Sequence, residues 1–394
     1  MKKNMIKLAA GAAAVLLMST SAHAGYTMKK KVGDVDTKLT VFGFAQLEAR
    51  GGPGIIADDD DSKIAFGAQR IRLGWKYQAG NVRGKVFLDF NQFATDPDKA
   101  ENLPTGDGAA MPRMIKDAFV SYVVDPAFVI KAGLIKMPNG MSFTMPGWNL
   151  DIAERGFDKK LVLERNTGLM FSGRGIGWEG NKVDGFEMGH ERPWKGFGYD
   201  VMMANQADRS AVATSDKNGG NSYAVRGMFD WTETLHLEAS YALTENAKGP
   251  SGDTGGEDYS NINIGVDSNL GELSLKAEYF DAKNLKGELD YNEQVITATA
   301  GYFVMPSLEL VGKFMQGNAE RVGFEDTSLT NTYLGMNIFM SMPYQDFSRK
   351  AKRMRNQHKV VLNYILASGD TDGAAQVVGG YKDSAFIAQY QFKF

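Results

Sequence analysis

The chain ends in Ala385-Phe-Ile-Ala-Gln-Tyr-Gln-Phe-Lys-Phe394, and the alternation within these ten residues decides the fold. Side chains of an extended strand point to opposite faces with period two. Phe386, Ala388, Tyr390, Phe392 and Phe394 therefore share one face, and Ala385, Ile387, Gln389, Gln391 and Lys393 the other. An aromatic row closing on a terminal Phe suits a strand with lipid on one side and water on the other, its aromatics at the interface level. The plainer alternative is an amphipathic edge strand of an ordinary sheet, and the rest of the chain discriminates between the two.

Read from the start, sixteen alternating segments appear, at 38–49, 63–78, 81–93, 114–124, 127–135, 167–173, 196–205, 222–231, 234–243, 259–268, 272–281, 293–304, 307–316, 331–340, 357–367 and 384–394. Residues 25–37 read as a short polar leader before them. In the second segment Ile71, Leu73, Trp75 and Tyr77 oppose Arg70, Arg72 and Lys76; in the third Val82, Val86, Leu88 and Phe90 oppose Arg83, Lys85, Asp89 and Asn91. Tight links such as Ala79-Gly80, Asp125-Pro126 and Met305-Pro306 alternate with long polar ones such as 51–62, 94–113 and 245–258. Short turns at one end and long loops at the other mark an up-and-down barrel. In hydrocarbon every strand edge must be paired, which only a closed ring achieves. The expected fold is therefore all-β: a 16-stranded antiparallel transmembrane β-barrel wide enough for an aqueous lumen. Parity expects short turns at 174–195 and 341–356, yet both stretches are long.

The other end of the chain fits export. Lys2, Lys3 and Lys7 precede an apolar run from Leu8 to Met18 and an Ala22-His23-Ala24 cleavage pattern, so residues 1–24 read as a signal peptide and 25–394 as the barrel. The destination that this implies is the outer membrane, with its lipid and lipopolysaccharide as surroundings. The run is too short to span a bilayer, and no later apolar run is long enough. There is no cysteine, which excludes disulfides and thiolate metal sites. Losing three lysines takes the 44 basic residues to 41 against 47 acidic, a balance that gives nucleic acid no purchase.

The longest connection assigned to the extracellular side, 136–165, carries Lys136, Asp151, Glu154, Arg155, Asp158 and Arg165 together with Met141, Phe143, Pro146 and Trp148. Those apolar residues are misplaced in open water, so the segment is expected to fold back against the inner wall. On the inward face, Arg70, Arg72, Lys76, Arg83, Lys85 and Lys131 gather on the early strands, whereas Asp200, Asp230, Glu238, Asp267, Glu278 and Glu309 dominate the later ones. Clustered cations in a constriction focus positive potential and attract anions. For any single residue, solvation of the wall is the commoner explanation; the cluster carries the argument. Gly175-Ile-Gly-Trp-Glu-Gly180 lacks the following helix of a nucleotide site, and His190, His236 and His358 lack metal spacing. No metal, cofactor or catalytic triad is expected. An outer-membrane hydrolase would need a serine beside one of those histidines, and a surface adhesin would need a plugged bore.

Lys116-Asp-Ala-Phe-Val-Ser-Tyr, Phe128-Val-Ile-Lys-Ala-Gly-Leu-Ile-Lys-Met-Pro-Asn-Gly140, the Glu154-Arg155 pair and the terminal Phe394 together resemble the phosphate-selective porin O and P family of Gram-negative outer membranes. The Lys-x-Gly-x-x-Lys-x-Pro-x-Gly core is the most specific part. The resemblance implies a homotrimeric barrel with an inward-folded third extracellular loop and a basic constriction that passes small anions, phosphate or polyphosphate among them. It adds Lys131, Lys136 and Arg155 to the Arg70, Arg72, Arg83 and Lys85 wall as constriction candidates. The acidic later strands depart from that pattern and keep a general diffusion porin with little ion selectivity as the alternative.

Overall fold

The computed structural model describes residues 25–53, 64–91, 114–177, 195–206, 220–232, 234–247, 256–340, 356–369 and 377–394. The expected signal peptide and most of the 174–195 and 341–356 links lie outside the described residues.

Seventeen strands follow in order: β1 (Tyr26–Val32), β2 (Val35–Gly51), β3 (Ile64–Ala79), β4 (Val82–Asp89), β5 (Ile115–Asp125), β6 (Phe128–Lys136), β7 (Arg165–Ile176), β8 (Gly196–Asn205), β9 (Asn221–Thr232), β10 (Leu235–Thr244), β11 (Tyr259–Leu270), β12 (Leu273–Lys283), β13 (Asn292–Met305), β14 (Leu308–Glu320), β15 (Thr327–Phe339), β16 (His358–Gly369) and β17 (Ala385–Lys393). From β2 onward each pairs antiparallel with the next, and β17 returns to β2 through Phe392↔Ala45 and Gln389↔Glu48. Sixteen strands thus close a ring. The terminal residue completes the seam, since the Gly43 and Phe394 backbones exchange two hydrogen bonds of 2.9 and 3.0 Å.

The seventeenth strand corrects the polar leader. Residues 26–32 run beside the start of β2, from Tyr26↔Val41 to Val32↔Val35, below the point where β17 stops. Gly33, at φ +60°, makes the two-residue turn that such a hairpin needs. Three consecutive lysines, Lys29 to Lys31, hide any apolar alternation here, because every residue of β1 is exposed.

The faces follow the alternation. On β17, Ala385, Ile387, Gln389 and Gln391 are buried while Phe386, Ala388, Tyr390 and Phe392 are half-exposed, with Tyr390, Phe392 and Phe394 in ring contact at 6.2 and 6.3 Å. Around the ring, Val120, Val225, Ile264, Ile296, Leu334 and Leu366 stand exposed on the outer face. Among the described residues no helix is long and apolar enough to cross a membrane.

The motif glycine Gly133 has a local reason. Its φ is +128°, and a Cβ there would collide with the Ala118 carbonyl of the neighbouring strand. Gly133→Ala is expected to break the β5–β6 ladder and cut the yield of folded barrel severalfold, read as loss of the compact, heat-modifiable band on unheated gels.

The inner face is less polar than a water-filled bore requires. Phe280, Val295, Met315, Tyr333, Val361, Ile365 and Ile387 are all at most 1% exposed. They form one cluster with Phe143, Phe157, Leu161, Val162 and Leu163 of the β6–β7 connection.

Candidate functional site

The connection between β6 and β7 is held to one side of the ring. Its interior contains a helical turn at Met141–Thr144 and 3-10 turns at Gly147–Asn149 and Phe157–Leu161. Backbone groups of this segment bond to side chains around the later wall. Gly140 N donates to Ser240 (3.1 Å), Met141 N to Asn263 (3.1 Å) and Ala153 N to Asn363 (2.8 Å), while Asn337, Lys359 and Gln389 donate to the carbonyls of Asp151, Leu150 and Ala153 (2.8, 2.6 and 3.1 Å). Lys276 pairs with Asp151. These bonds satisfy a non-repetitive backbone that burial would otherwise penalise, and the apolar cluster fills the space behind it.

The space left open faces β2 to β5. It is a cavity of about 210 Å³, lined by Arg70, Arg72, Lys76, Lys85, Lys116 and the segment's Lys136, Arg155, Lys159 and Arg165, with Asp89, Asp117 and Glu164 as the carboxylates. Four of the cations are ion-paired locally, to three carboxylates: Arg72 pairs with Asp89 at 2.8 Å, Lys85 and Arg165 share Asp117 at 2.6 and 2.9 Å, and Lys159 pairs with Glu164 at 2.9 Å. Burial alone would raise Glu164, but Lys159 and Lys116 hold it down at about 2.

Three cations differ. Arg70, only 6% exposed, donates to the Gln46 amide oxygen at 2.6 Å. Lys136 bonds the Phe143 carbonyl and sits 4.4 Å over the Phe143 ring. Arg155 donates to the carbonyls of Ser142 (3.0 Å), Phe143 (3.2 Å) and Met145, with the same ring 5.6 Å beneath it. Every one of these partners is neutral. Burial, with Arg72 and Arg165 nearby, pushes the Arg155 guanidinium down to about 9, as expected for a cation short of counter-charge.

The geometry rests on small supports. Gln46 accepts from Arg70 and donates to the Gly147 carbonyl at 3.1 Å, joining β2, β3 and the connection. Gln391 donates to the Trp148 carbonyl at 3.0 Å, and Lys393 lies 4.5 Å over the Trp148 ring. A Cβ on Gly147 would come within 3.1 Å of Arg70 Nε. Gly147→Ala is accordingly expected to displace Arg70 and lower ion throughput about twofold without unfolding the ring, checked by single-channel current against gel mobility.

Of the seven residues singled out from sequence, the structure brings Arg70, Arg72, Lys85, Lys136 and Arg155 to this cavity. It places two elsewhere. Arg83 turns to the carbonyls of Gly80 and Val82 at the β3–β4 turn, and Lys131, fully buried, donates to Ser172 at 3.1 Å. Period two assigns a face but not a height, and these two stand at other levels of the same wall. Lys116 was quoted only within the family motif and not as a lining residue; a register shift between Phe87 and Leu88 makes it an extra residue at the edge of the pairing. Of the histidines, His236 presents both ring nitrogens to carboxylates, Asp230 at 2.5 Å and Glu238 at 3.3 Å, and His190 lies outside the described residues.

A closed antiparallel ring of sixteen strands, apolar outside and charged within, is the porin fold. Comparison with solved structures agrees. The chain superposes on OmpF of Salmonella typhi in complex with daunomycin at TM-score 0.60, 13% identity, covering 93% of this chain and 100% of that one. It superposes on an anion-selective porin from Comamonas acidovorans at 0.59 and 13%, covering 91% and 100%. For the trimer form of OmpT from Vibrio cholerae the values are 0.57 and 11%, covering 91% and 99%. Identities this low establish the fold alone. No family model matches the chain, and no curated protein matches it, so the resemblance to the phosphate-selective family gains no support there.

Proposed function

We propose that this protein is an outer-membrane porin whose bore passes small anions, with the 136–165 connection lying inside the ring as its constriction. The carrying observation is the trio Arg70, Lys136 and Arg155, three cations at one cavity whose bonding partners are all neutral. A buried charge without a counter-charge is costly, and a passing anion supplies one. Weak neutral partners also let it leave, which conduction requires. Phosphate and polyphosphate are the proposed solutes, because arginine forks match phosphate oxygens. The fold comparisons with an anion-selective porin and with a trimer form support, at the level of architecture, a homotrimeric anion channel.

Purified protein in a planar bilayer tests this. In a potassium chloride gradient the reversal potential is expected to carry the anionic sign, and added phosphate is expected to reduce the chloride current. A cationic sign would sink the proposal. Replacing Arg70 and Arg72 with Ala separates it from a general diffusion porin: anion preference falls in the first case, and only size exclusion changes in the second. Arg83→Gln and Lys131→Gln, neither of which lines the cavity, are expected to leave the permeability ratio within about twofold.

A further inference from the structure

Residues 377–381, before β17, lie over the constriction segment and are held at three points. Tyr381 exchanges two 2.8 Å bonds with Asn331 on β15, and its hydroxyl donates to Glu154 while receiving Arg50 at 3.2 Å. Val377 is buried in the same apolar cluster as Phe157, and the Gly379-Gly380 pair lies against Lys160, Leu329 and Phe157. The third point is unlike the others. Val378 N donates to Glu293 Oε2 at 3.0 Å, but Oε1 of this fully buried carboxyl has no partner among the described residues. The titratable groups facing it are Tyr259 on β11, Tyr291 just before β13 and Lys286 in the turn after β12, and none bonds or ion-pairs with it.

An ionised carboxylate in such a place lacks half its hydrogen bonds and has only the Lys286 charge near it, out of ion-pair contact, whereas the neutral acid loses far less on burial. The docked arrangement therefore suits the protonated acid, and ionisation favours an arrangement in which water reaches Glu293. We propose that residues 377–381 form a proton-operated strap, docked over the constriction segment while Glu293 keeps its proton and released when it ionises. The sign follows from linkage: the docked form binds one proton more, so docking is complete at low pH and is lost as pH rises. Release uncovers Phe157 and Lys160 and removes the Tyr381 hydroxyl from Glu154, loosening the segment from its extracellular side. The strap does not depend on which solute the bore passes.

The chain has no cysteine, so one can be introduced as a reporter. Val377→Cys in proteoliposomes is treated with a membrane-impermeant thiol reagent between about pH 6 and pH 9, and its rate is corrected for thiolate fraction with the exposed Lys382→Cys as reference. One linked proton permits a rise of up to about tenfold per pH unit through the transition. The corrected Val377→Cys rate is expected to rise at least severalfold, and in Glu293→Gln, neutral and of the same shape, to stay low throughout. A flat profile with Glu293 intact overturns the proposal whether or not the glutamine variant folds, and so does an unchanged rise in the folded glutamine variant. Neither readout involves ion flow, so a barrel that proves unselective would leave the strap standing.

Discussion

Arg70→Gln/Arg155→Gln is expected to reduce the anion-to-cation permeability ratio by about tenfold or more, moving the reversal potential in a potassium chloride gradient toward zero or past it. Two unit charges 4 Å apart interact by about 4 kcal/mol at an effective dielectric of about 20. A tenfold change in selectivity requires only about 1.4 kcal/mol, so removing two such charges exceeds that amount even after substantial screening. The neighbouring cations do not replace them, since Arg72, Lys85 and Arg165 have Asp89 and Asp117 as counter-charges. Glutamine retains donors for the Gln46 and Ser142 contacts, so the ring and the segment are expected to stay in place. The effect should be largest at low salt and shrink as salt rises. An unchanged reversal potential in the double variant would falsify the assignment of these cations to the conduction path.

The second large effect concerns what holds the segment. Phe157→Ala/Leu161→Ala is expected to raise single-channel conductance severalfold and to admit larger neutral solutes in a liposome-swelling assay. Phe157 and Leu161 are 1% and 0% exposed, packed with Met315, Tyr333 and Val377. Truncating a buried Phe costs about 3–5 kcal/mol and a buried Leu about 2–5. That sum rivals the whole stability of an ordinary domain, and here it falls on one connection and not on the strand ladders. The ring should therefore survive, read by gel mobility, while the segment leaves its seat. Normal conductance in a folded variant would show that the hydrogen bonds to Ser240, Asn263 and Asn363 suffice to seat it.

Much of this molecule was legible in order. The alternation in 38–49 and 384–394 anticipated β2 and β17 to within a few residues, and the faces of β3 came out as expected, with Arg70 and Arg72 turned in beside an exposed Ile71. The leader was missed because β1 buries nothing, so its residues carry no alternating signal. The apolar half of the interior was missed for a different reason. Phe280, Met315 and Ile365 face the bore, and a residue facing a bore is expected to be polar unless something covers it. The cover comes from Phe143, Phe157 and Leu161, whose spacing has neither helical nor strand period.

By itself, then, the sequence determined a closed all-β ring of sixteen strands and, on those strands, the side of the sheet to which the alternating residues belong. A strand's two environments, lipid and interior, imprint themselves on neighbouring residues with period two, and that imprint is local. The tertiary structure alone decided which charges meet. Arg70 and Arg155 are brought to one cavity by the register of β2 against β3 and by the seating of 136–165 on the later wall, and Arg83 and Lys131 are carried past it. Height along a strand and the resting place of an aperiodic segment are products of pairing and packing between distant parts of the chain, and neither leaves a periodic trace in any single stretch.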